Sequence, residues 1–79
     1  MIDIETQQPL KVNTEGTAGP YLMVPLDQLD DVRTVLRHAG IAHSVSADAI
    51  ELDGRPVIAI VDFGRAANAN QVQAALDAA

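Results

Sequence analysis

Residues 41–63 read IAHSVSADAIELDGRPVIAIVDF, and this stretch decides the fold. Asp53-Gly54 stands between two runs of β-forming residues. An Asp-Gly pair in that setting predicts a tight hairpin, because the favoured two-residue turns need positive φ. After it, Val57-Ile58-Ala59-Ile60-Val61 is apolar without alternation. That pattern suits a strand buried on both faces or central in a sheet. A helical pattern lies on either side of the hairpin.

Working outward, Tyr21-Leu22-Met23-Val24 reads as a short apolar strand closed by Pro25. A first helix is expected over residues 27–39. Asp27 is placed to cap it, and Asp30 and Asp31 fall in its first turn, where the helix dipole favours negative charge. Leu29, Val32, Leu36 and Ala39, with Val35 beside them, form one apolar face. Arg37 and His38 come late, and Gly40 followed by Ile41 predicts a Schellman ending. A second helix is expected over residues 68–78. Asn68 and Gln71 have capping-box spacing, and Val72, Ala75, Leu76 and Ala79 make a narrow apolar face. With only two large aliphatic residues, it is the weaker helix.

Residues 1–19 read differently, as an arm in front of a single α+β domain at 20–79. Ile2 and Ile4, and then Leu10 and Val12, alternate with polar residues, which permits two short strands. Gln7-Gln8-Pro9 and residues 13–20 read as loop.

The expected order is strand, helix, strand, strand, helix (β-α-β-β-α). A right-handed crossover makes the first two strands parallel, and the hairpin makes the third antiparallel to both. If the third strand inserts between them, the result is a split βαβ core with both helices on one face of a mixed sheet. Over residues 21–79 this layout resembles ferredoxin-like domains without their last strand. The ending Leu36-Arg37-His38-Ala39-Gly40-Ile41 and the Asp-Gly turn are also similar to those of small uncharacterised bacterial proteins. The resemblance implies a fold and no activity. It leaves the outer edge of the first strand open to the arm as an added strand, to a second copy in a homodimer, or to another protein.

Composition narrows the function classes. The chain has 79 residues and a net charge of −6, from 11 Asp and Glu against 5 Lys and Arg. That balance disfavours nucleic acid and anionic membrane, whose recognition depends on basic surface, and suits a basic protein partner. With no Cys, disulfides and thiolate chemistry are excluded. The first residues lack the basic and apolar regions of a signal peptide, and no apolar run reaches membrane-spanning length. The expected location is the cytoplasm.

Chain direction gathers Tyr21, His38, His43, Phe63 and Arg65 at one rim, uniting both histidines and both aromatics. As a recognition patch this rim would use Tyr and Arg anchors, with His adding pH sensitivity. The plainer alternative has Phe63 plugging the core bottom, Tyr21 packing beside it, and the histidines solvated. His38 and His43 make a poor metal pair, with Gly40 between them and no third ligand close in sequence. Asp48, Glu51, Asp53 and Asp62 read as solvent-facing turn and strand residues. No phosphate-cradling glycine loop or nucleophile elbow is present, so neither a cofactor nor a metal is expected.

The expected function is therefore non-catalytic: a small acidic protein that works by binding another protein, for instance as an inhibitor or immunity factor. In that role Asp27, Asp30, Asp31, Asp48, Glu51 and Asp53 would meet a basic face. The alternative is a homodimeric regulatory sensor of small molecules, similar in fold to ACT-type domains. Such domains commonly admit their ligand at a glycine after the first strand, where this chain has Val24-Pro25-Leu26-Asp27.

Overall fold

The computed structural model describes residues 1–15, 19–46 and 57–79. The Asp53-Gly54 turn, with Asp48 and Glu51, lies outside the described residues. Three strands are described: β1 (Tyr21–Pro25), β2 (Ser44–Val45) and β3 (Ile58–Asp62). Their order is β1-β3-β2, with both outer strands antiparallel to β3. The apolar run is thus the central strand, as its lack of alternation requires.

Pairing register decides which side chains face inward. Leu22 opposes Val61 and Val24 opposes Ala59, and all four are buried. They form one core with Val32 and Leu36 of α1 (Leu29–His38) and Val72 and Leu76 of α2 (Ala69–Asp77). Both helices therefore cover the same sheet face. On the other face Met23 opposes Ile60 and Pro25 opposes Ile58. Ile58 and Ile60 are half-buried there, so β3 is central in the sheet without being sealed on both sides.

The first helix starts later than its sequence suggests. Pro25 is extended, with φ −55° and ψ 136°, and a 3-10 turn at Leu26–Gln28 follows at once. Pro25 therefore takes the place of a capping residue but has no side-chain oxygen to offer. Asp27 lies inside the turn and makes no capping hydrogen bond. An N-cap side chain reaches back over the helix only from a non-helical backbone, and that position has passed. The end of α1 matches expectation: Gly40 has φ 70°, its N–H donates to the Arg37 carbonyl at 3.0 Å, and the Ile41 N–H donates to Leu36 at 2.9 Å. This pair of bonds defines the Schellman motif. Ala39 falls in that ending and is exposed, so it adds nothing to the helix face. Asn68 caps α2 by accepting from the Gln71 N–H at 3.1 Å.

The arm does not form the two expected strands. Its pairings are isolated bridges, Ile2 with Pro9 and Asn13 with Tyr21. Asp3 breaks the first run by accepting at its side-chain oxygen from the N–H groups of Glu5 and Thr6, at 2.7 and 3.1 Å. Gln7 then turns the chain with φ 61°, and Pro9 has no N–H with which to continue a ladder. The arm packs onto its own chain: Leu10 is 3% exposed within the shared core. Asn13 exchanges two hydrogen bonds with Tyr21, at 2.8 and 2.9 Å, and so occupies the start of the β1 outer edge.

Candidate functional site

Two ends of the sheet carry the residues of interest. At the lower end β1 and β2 begin and β3 finishes, since Tyr21, Asp62 and Ser44 stand in one cross-strand row. The Phe63 N–H donates to the Pro20 carbonyl at 3.1 Å, tying the end of β3 to the approach to β1. The close fit here rests on Gly19, whose φ is 94°. A Cβ at Gly19 would stand 2.6 Å from the backbone of Gly64.

The five rim residues differ in burial and in the element that carries them. Phe63 is 8% exposed and belongs to the core. Tyr21 is half-buried, with both backbone groups engaged by Asn13. His43 holds Nδ1 3.0 Å from the carbonyl of Ile41. A carbonyl only accepts, so that nitrogen carries the hydrogen of the bond. His38 is exposed on the helix layer, lining a shallow groove with Val35, Ala75 and Ala78. Arg65 is exposed in the turn after β3.

Between the loop at 40–42 and the start of α2 lies a cleft of about 340 Å³, lined by Phe63 and Val72 among others. Its polar side chains are Asn68 and Gln71, and the Asn68 oxygen is already used as the helix cap. Among the described residues, the lining holds no acid, base or nucleophile, and no three metal-ligating side chains gather anywhere. The cleft is of mixed polar and apolar character.

The upper end is built by a residue that the sequence reading passed over. Gln28 is 4% exposed, and its side chain clasps the arm. Its Oε1 accepts from the Ile4 N–H at 3.0 Å, and its Nε2 donates to the Ile2 carbonyl at 2.6 Å. A signal existed: Gln28, Val32 and Leu36 recur at i+4, and a polar residue at the head of an apolar stripe needs a buried partner. Gln73 of α2 holds the next part of the arm, accepting from Val12 N–H and donating to the Leu10 carbonyl, both at 2.9 Å. The Met1 amino group donates to the carbonyl of Leu76.

These tethers set Ile2 and Ile4 beside the 3-10 turn. Ile2 is 49%, Ile4 48% and Leu26 45% exposed, and the other exposed large apolar residue among those described is Met23 at 42%. Asp3 and Glu5 adjoin the two isoleucines in sequence, Asp27 adjoins Leu26, and the exposed Asp30 and Asp31 follow in the first turn of α1.

The fold is that of a small α+β protein, with a three-stranded antiparallel sheet and two α-helices among the described residues. No helix among the described residues is long and apolar enough to cross a membrane. Comparison with protein-family models, with curated proteins and with solved structures finds no match.

Proposed function

We propose that this chain is a small non-catalytic protein that acts by binding another protein. One observation carries the reading: Ile2, Ile4, Met23 and Leu26 stay on the surface of a chain with few large apolar residues to place. Exposed apolar side chains with polar neighbours mark contact surfaces, and three of these four belong to one corner of the fold. The net charge of −6 favours a basic partner and opposes nucleic acid and anionic lipid.

The strand order supports reading the scaffold as the split βαβ core of ferredoxin-like domains, with Asn13 standing where a fourth strand would begin. Asn13 pairs in cis with Tyr21 alone, so a homodimer through β1 would have to use the edge beyond that first residue. The ACT-type alternative is disfavoured at its ligand position. There Pro25 leads directly into the 3-10 turn, without a glycine to open the connection.

Native mass spectrometry of the protein gently isolated from its own source tests the proposal. A heteromeric mass whose population falls as salt rises is the expected outcome. A bare monomer, or a homodimer carrying a small adduct, would overturn it, and the second result would favour a sensor.

A further inference from the structure

We infer that the upper corner, where the arm meets the start of α1, is the docking surface and that its occupant is a cationic amphipathic helix of a partner protein. This rests on the binding-protein reading above and names the surface and the chemistry of the partner. Among the described residues, three of the four exposed large apolar side chains, Ile2, Ile4 and Leu26, lie at this corner. Their positions are held from beneath, because Gln28 bonds the backbone on both sides of Asp3. The apolar groups are thus displayed on an anchored loop, which lowers the ordering cost of a contact.

Charge identifies the occupant. Five carboxylates, Asp3, Glu5, Asp27, Asp30 and Asp31, neighbour these apolar residues along the chain, and residues 1–10 and 21–32 contain no Lys or Arg, the next cations in sequence being Lys11 and Arg33. The Met1 ammonium is at this end but is turned onto the Leu76 carbonyl. Apolar residues with acidic neighbours complement a helix whose apolar stripe is flanked by Lys and Arg. It opposes a phosphate backbone, an anionic bilayer and a second copy of the same acidic corner.

The test uses the full chain, labelled for amide NMR, and a leucine–lysine amphipathic peptide of about five helical turns. Shifts should concentrate at residues 2–5 and 26–31. Ile4→Ser combined with Leu26→Ser leaves every charge in place and should weaken binding about tenfold or more. Both side chains are exposed, so the variant should keep its melting temperature. Asp30→Asn with Asp31→Asn should weaken binding and flatten its salt dependence.

Shifts centred on Met23 and Ile60, or on the groove beside His38, would overturn the assignment of this surface. So would unchanged affinity in the double-serine variant, which would mark the attraction as general electrostatics. Failure of the peptide to bind would overturn the cationic-helix assignment, while a heteromer in the native mass spectrum would leave the broader binding reading standing. Self-association abolished by the double-serine variant would give the corner to a second copy and overturn it as well.

Discussion

The two ends of the sheet place their large side chains in opposite ways. At the lower end Phe63 is turned into the core and backbones press together at Gly19 and Gly64. At the upper end Leu10 and Gln28 go inside while Ile2, Ile4 and Leu26 stay out. Burial at the lower end completes the fold. At the upper end the fold is already complete beneath the exposed residues, so their exposure has no structural purpose of its own. The lower rim carries the Tyr, the Phe and the histidines, and its Phe is the packing residue that the plainer reading of the sequence made it. The difference teaches that residue type nominates an interface only after burial has removed the residues that packing needs.

Three substitutions can break or sharpen this contrast. The largest effect is expected at the core shared by both ends. Leu36→Ala removes a side chain with 0% exposure and should cost about 2–5 kcal/mol. A domain of this size has roughly 4–12 kcal/mol in total, so thermal unfolding should drop steeply or the chain should lose its helical circular dichroism. A mild loss would mean that the core lies elsewhere.

Next comes the lower end. Gly19→Ala combines positive φ with a Cβ 2.6 Å from the Gly64 backbone. It should cost roughly 1–3 kcal/mol from overpacking, beyond about 1 kcal/mol for the left-handed backbone. Gly40→Ala carries only the backbone penalty, since nothing lies within 4 Å of its would-be Cβ. Chemical denaturation of the pair should rank Gly19→Ala well below Gly40→Ala. Equal stabilities would remove the close approach from the account of this end.

The smallest effect is expected at the upper end. Gln28→Ala strips the Ile4 N–H and the Ile2 carbonyl of their partners. Because water can reach part of the corner, the cost should sit near the low end of about 1–3 kcal/mol. The sharper readout is amide exchange, in which Ile4 should lose protection while β3 keeps its own. Unchanged protection at Ile4 would show that the arm is held by other contacts.

Much of the body was legible in the sequence because its signals are local. The Gly40-Ile41 ending, the Asn68 cap, the apolar stripe of α1 and the unalternated run of β3 each follow from a few neighbouring residues and their preferred dihedrals. The 3-10 turn was less legible. Asp27 has the right chemistry for a cap, but Pro25 had already set where the chain turned. Of the five rim residues, chain direction put the start of β1 beside the end of β3, and the plainer of the two readings already had Phe63 filling the bottom of the core, where it lies.

By itself, the sequence determined the element order, the helix endings and the acidic charge, all of which depend on short-range periodicity and composition, and it left the central place of β3 as one of two options. Only the tertiary structure decided the fate of the arm. Gln28 reaches residues 24 and 26 positions away, Gln73 reaches 61 and 63 away, and Gly19 presses on Gly64. Glutamine has no conformational preference that announces such a partner, and a hydrogen bond between distant residues exists only once packing has brought them together. The physical reason is separation along the chain: local propensity shapes each element, whereas the exposed apolar corner results from contacts made between elements.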